Sequence, residues 1–187
     1  LKKQLIAVRT KTEMIGGKTY TFDEEAKLLY DAEPPHFEAS YFDELLVGLD
    51  KLLAGDGELS TRYNNFMAEF VIPKEKLDTV FRVAIDESRK ITKNYFELPK
   101  NENFVLEYVT DKVWSGYNYY QGNAQSLIQM NTDFPIYISR AVDLASHEGY
   151  PGHHIYMMLT EQNLVNKKGW MEYSVYPLFS PSSLIAE

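Results

Sequence analysis

Three of the four histidines in this chain, His147, His153 and His154, fall within the run Ser146-His147-Glu148-Gly149-Tyr150-Pro151-Gly152-His153-His154. Neutral imidazole is the commonest metal ligand a protein offers. A His-Glu pair followed closely by another His is also the skeleton of the zinc hydrolase motif H-E-x-x-H. In that motif the histidines stand four residues apart on one helix face, about 6 Å from each other, and share one ion. Here the partners of His147 lie six and seven residues away. On an unbroken helix the first sits roughly 240° round the axis, and the second faces correctly but lies about 10.5 Å along it. A regular helix therefore cannot bring either one to a shared ion.

The intervening residues supply an irregularity of the right kind. Pro151 cannot donate an N–H and clashes with the turn before it, and Gly149 and Gly152 on either side tolerate unusual dihedral angles. The helix must kink, bulge or stop there, as helices often do at functional sites. A bulge that absorbs two residues returns His153 to the place of the second histidine and keeps Glu148 beside the metal. His154 is the alternative ligand.

These residues need elements to carry them. Asn131-Thr132-Asp133 offers a helix cap, with Pro135 in the first turn. The helix that follows carries Ile136, Ile138, Ala141, Val142, Leu144 and Ala145 and delivers His147 and Glu148 at its far end. Asp143, one turn earlier, can accept the other N–H of the His147 ring or can be a plain surface charge. Upstream, residues 104–109, 114–120 and 124–130 have the β-branched and aromatic texture of three short strands. Their connections are too short for crossover helices, which predicts an antiparallel sheet. An exposed strand edge beside a metal can hold an extended peptide by main-chain hydrogen bonds. Tyr117, Tyr119 and Tyr120 are substrate contacts or, more commonly for such residues, sheet packing.

Residues 1–100 have a helical texture. Thr21 caps an acidic first turn, and Pro34-Pro35 breaks the chain. Apolar residues then recur at helical spacing from Phe37 to Leu53, a further helix spans about 58–70, and Pro73 opens one that runs to about Tyr95. His36, after two prolines, is a loop residue. This half is expected to be packing scaffold with a solvated acidic face.

With 44% apolar and 25% charged residues among 187, the composition is that of a globular domain. No apolar run is long enough to span a bilayer. The net charge of −8 argues against a nucleic-acid surface. The absence of cysteine leaves His, Asp and Glu as the strong ligands, a donor set that suits zinc or its neighbours.

The run H-E-G-Y-P-G-H-H resembles the H-E-x-x-P-G-H-H signature of a bacterial family, number 885 in the domain-of-unknown-function series, grouped with the H-E-x-x-H zinc metallopeptidases. It is also similar to the H-E-x-G-H signature of thimet-oligopeptidase-like enzymes with two residues inserted, which favours His153 over His154 as ligand. The resemblance is specific from about Asn131 to His154 and looser to Glu187. It implies a third ligand from a Glu on a later helix, and Glu187 follows Ser180-Pro181, a capped helix start.

By that resemblance one zinc ion is held by His147, His153 and Glu187. Glu148 acts as general base, and Tyr150, Tyr173 and Tyr176 are candidate oxyanion donors. The substrate is a peptide or small amide. The expected fold is α+β and mainly helical: a helical half, a small antiparallel sheet, and a metal-site helix interrupted at Gly149–Gly152. The chain begins without Met and stops on Glu187, so it reads as part of a larger zincin-like catalytic domain, with 1–100 as scaffold and 101–187 as sheet and metal-site helices. A ligand at a frayed end would hold the ion weakly. Localisation is not legible from this stretch.

Overall fold

The computed structural model describes residues 1–187. The chain forms eight α-helices and one three-stranded sheet: α1 Lys2–Ile15, α2 Phe22–Glu25, α3 Ala39–Leu52, α4 Leu59–Ala68, α5 Leu77–Thr92, β1 Asn103–Val109, β2 Gly116–Gly122, β3 Gln125–Asn131, α6 Ile138–Leu144, α7 His153–Thr160 and α8 Pro181–Ala186. No helix is long and apolar enough to cross a membrane. The expected class, α+β and mainly helical, is the observed one.

The start signals read from the sequence act through identifiable bonds. Thr21 Oγ1 accepts from the Glu24 N–H while the Glu24 carboxylate accepts from the Thr21 N–H, a reciprocal cap. Ser180 and Ser183 make the same exchange at the start of α8, with Pro181 in its first turn. One expected cap is absent. Asn131 closes β3 instead, its side-chain amide donating to the carbonyls of Lys112 and Trp114 at 3.0 Å each. The chain then stays extended: the Ile72 N–H donates to Ile136 O at 2.9 Å and the Ile138 N–H to Phe70 O at 3.0 Å. Only then does α6 begin. Local cap chemistry lost to these long-range partners.

The sheet corrects the antiparallel expectation. Its order is β1-β3-β2, with β3 parallel to β1 and antiparallel to β2. A parallel return needs a dozen or more residues, usually a helix. Here residues 110–124 serve, because β2 itself lies within the connection. β3 is therefore central, and its alternate residues Ser126, Ile128 and Met130 are buried.

The main core joins α5 (Leu77, Phe81, Ile85), β3 (Ile128, Met130), α6 (Ala141, Leu144) and α7 (Ile155, Met158). Phe81 and Met158 are completely buried, each contributing roughly 1.5–3 kcal/mol by its removal from water. A separate small packing unit forms where α1, the turn at Ala26–Tyr30 and α8 meet, around Ala7 and Leu29. In contrast, α3 and α4 bury no residue.

The helix that carries His147 is interrupted where the proline and glycines require it. After Leu144 the backbone widens into a π-turn over Ala145–Gly149, leaves helical geometry at Tyr150-Pro151-Gly152, and restarts as α7 at His153. The Gly152 N–H donates to Ser146 O at 2.9 Å, so its Cα lies directly on the end of the π-turn. A Cβ placed there would overlap the His147 carbonyl.

Gly152→Ala should therefore lower stability by at least about 1–3 kcal/mol, the usual cost of overpacking a closed site. Gly48→Ala, in exposed α3 with no atom within 4 Å of the new methyl, should be neutral or stabilising by up to about 1 kcal/mol. Urea midpoints of the two variants check the contrast.

Candidate metal and active site

The break turns α7 back so that the His147 and His153 rings lie edge to face, with centroids 4.7 Å apart. Glu187, following α8, reaches both: one carboxylate oxygen is 3.2 Å from His147 Nε2 and the other 3.5 Å from His153 Nε2. The ligand atoms of the three residues all lie within 4.8 Å of one another. Ligands about 2.0–2.1 Å from a tetrahedral zinc stand roughly 3.3 Å apart, so the histidine–carboxylate separations suit a shared ion. Burial first, and then the neighbouring His147, push the His153 imidazole below its ordinary value, with Glu187 opposing. The neutral form, which is the ligating form, is thereby favoured.

Glu148 lies beside these residues at 4% exposure. One of its carboxylate oxygens is buried without any hydrogen-bond partner. Burial raises its pKa to about 7, with His147 opposing and Glu187 adding to the rise. A base is most effective when its pKa lies near the working pH; burying an unpaired carboxyl is costly, and such perturbed groups cluster at functional sites.

Strand β2 accommodates Glu148 in two ways that residue types alone did not reveal. Asn118 Nδ2 donates to the Glu148 carbonyl at 2.7 Å. A Cβ on Gly116 would stand 3.0 Å from the Glu148 carboxylate and 3.2 Å from Leu144, so a larger residue there would make one of those side chains give way. The one available signal was a glycine inside an aromatic strand, which often marks a close neighbour.

His154, unlike His153, is completely buried. Its Nδ1 is 2.8 Å from Ser126 Oγ and its Nε2 3.0 Å from a Glu102 carboxylate oxygen. The same carboxylate accepts from the Tyr150 hydroxyl and from Arg89 Nη2, the latter at 2.6 Å. Tyr150 is thus committed to Glu102 and stands away from the histidine pair. Nothing in the turn Pro99-Lys100-Asn101-Glu102 marked Glu102 as buried, since its partners come from α5 and from the interruption.

The remaining candidates separate. Asp143 pairs with Arg140 on the exposed side of α6 and makes no hydrogen bond to His147. Tyr173 lines a neighbouring chamber. Tyr176 lines the cleft together with His147, Glu148, His153, Glu187 and residues Gly116–Tyr120 of β2. Its hydroxyl is buried without a partner, and burial, followed by Glu187, pushes its pKa up to about 12. It stays protonated and able to donate. His36 is an exposed loop residue 3.1 Å from Asp23.

No protein-family model matches the chain, and neither a curated protein nor a solved structure does.

The Glu102 cluster makes an acid-sensitivity prediction. Burial would push this carboxyl up, but hydrogen bonds from His154, Tyr150 and Arg89 outweigh it and hold the pKa at about 2, below the ordinary 4.5. Because the folded value is depressed, the stabilisation is complete above pH 4.5 and is lost as pH falls toward 2. The drop corresponds to about 3 kcal/mol at neutral pH. Glu102→Gln should cost about that much at pH 7 and much less at pH 3, as read from urea midpoints at the two values.

Proposed function

We propose that the protein is a zinc-dependent hydrolase, a peptidase or amidase acting on short peptides. The observation that carries this reading is the convergence of His147, His153 and Glu187 within 4.8 Å, with the unpartnered carboxylate of Glu148 beside them. Two imidazoles and a carboxylate are a donor set used by catalytic zinc sites. Zinc held there would supply a Lewis acid that polarises a carbonyl and acidifies a water.

The protein's own residues would divide the remaining work. Glu148 accepts the proton of a water in the cleft and returns it to the departing amine. The Tyr176 hydroxyl donates to the oxygen on which charge develops. The edge of β2 away from β3 has no strand partner and runs along the cleft. An extended peptide could lie there by main-chain pairing, and this favours a peptide over an unrelated ester.

A second reading has an observation of its own. The Glu187 carboxylate stands 3.2 Å from one imidazole and 3.5 Å from the other, close contacts that are compatible with a binding or scaffold domain that keeps the motif for structure.

Zinc stoichiometry and hydrolysis of a mixed peptide pool separate the two. Under the hydrolase reading, wild-type protein binds one equivalent of zinc. Glu148→Gln retains the zinc and loses roughly 10²–10⁴-fold in rate. His153→Ala weakens zinc binding by roughly 100-fold or more. Zinc bound without turnover of any amide supports the scaffold; absence of zinc from wild type overturns the metal reading.

A further inference from the structure

A second chamber of about 240 Å³ opens beside the cleft and shares Met157 and Tyr176 with it. That volume is below the roughly 300–1,000 Å³ that encloses a whole drug-sized ligand, and it suits a single long side chain. Its walls include the rings of Tyr156 and Tyr173 and the thioether of Met157, which are apolar and adaptable surfaces.

Two acceptors stand out among the polar groups of the chamber, the Gln4 carbonyl and the Glu172 carboxylate. Gln4 spends its amide N–H on Ser182, and its carbonyl oxygen is buried without a donor. The Tyr176 hydroxyl, on the wall shared with the cleft, also lacks a partner. Glu172 is the sole charged side chain lining the space, and no lysine, arginine or histidine lines it to pair with that carboxylate. Apolar walls, aromatic faces, the unpaired Gln4 carbonyl and the Glu172 carboxylate match an alkyl stem that ends in a cation. The net charge of −8 biases encounter in the same direction.

We propose that this chamber is a subsite for a lysine or arginine side chain next to the amide held in the cleft, its stem lying along Met157, Tyr156 and Tyr173 and its cation meeting Glu172. The proposal rests on the reading of the cleft as a hydrolase site, but it can be tested separately, by binding.

The probes are blocked tripeptides with alanine on either side of lysine, arginine, norleucine or glutamate. Their affinities are measured by calorimetry on zinc-loaded Glu148→Gln protein, where turnover does not intrude, and hydrolysis is measured on wild type. The lysine and arginine peptides should bind about fivefold more tightly than norleucine, as expected for one partly exposed ion pair, with the glutamate peptide weakest. Added Glu172→Gln should remove the gap between lysine and norleucine, and Glu172→Lys should reverse it. Glu172 is exposed, so neither substitution threatens folding.

Equal or tighter binding of norleucine overturns the subsite, as does a lysine preference that survives Glu172→Lys. Hydrolysis by wild type together with such binding data removes the subsite and leaves the hydrolase. A Glu172-dependent order of affinities without any hydrolysis upholds the chamber and removes the hydrolase.

Discussion

The structure depends most on one buried charge. The Glu102 side chain has no exposure to solvent, and a carboxylate in that position is tolerated only because Arg89, Tyr150 and His154 all bond to it. Those partners come from α5, from the interruption after the π-turn, and from the first turn of α7. One anion thus clamps the break itself and the start of α7 to the helix behind them. His154 is drawn inward, and adjacent helical residues diverge by about 100°, so His153 turns toward the cleft. Which of two neighbouring histidines faces the cleft is decided by a glutamate some fifty positions earlier in the chain.

This arrangement explains how much of the site was legible in the sequence. Pro151 with its flanking glycines imposes a local steric constraint, and local constraints survive translation from sequence to structure. The interruption could be foreseen for that reason, as could the caps at Thr21 and Ser180. The cap expected at Asn131-Thr132-Asp133 could not, because Phe70 and Ile72 supply competing backbone partners from sixty positions away. The parallel pairing of β1 with β3 was hidden for a related reason: the connection that makes it possible contains a strand, where the general rule anticipates a helix.

The tyrosines show a finer limit. Tyr150, Tyr173 and Tyr176 have the same chemistry and lie near the motif in sequence, yet their surroundings differ entirely. One is bound to Glu102, one lines the side chamber, and one carries an unpaired hydroxyl into the cleft. Residue type limits what a side chain can do, whereas the direction it faces is set by packing. Gly116 and Asn118 were silent for the complementary reason. Their contribution is to let β2 approach Glu148, and close approach leaves almost no trace in composition.

The helix that brings Glu187 belongs to the small unit around Ala7 and Leu29, whereas both histidines are carried by elements packed into the large core. The two imidazoles and the carboxylate therefore meet across a seam between two bodies of packing, and their spacing is only as constant as the alignment of those bodies. Ala7 and Leu29 touch nothing chemical, yet they set the gauge of the site as a bearing sets the position of a shaft. A slackened contact at either one would be felt first as a drift of the carboxylate relative to the imidazoles.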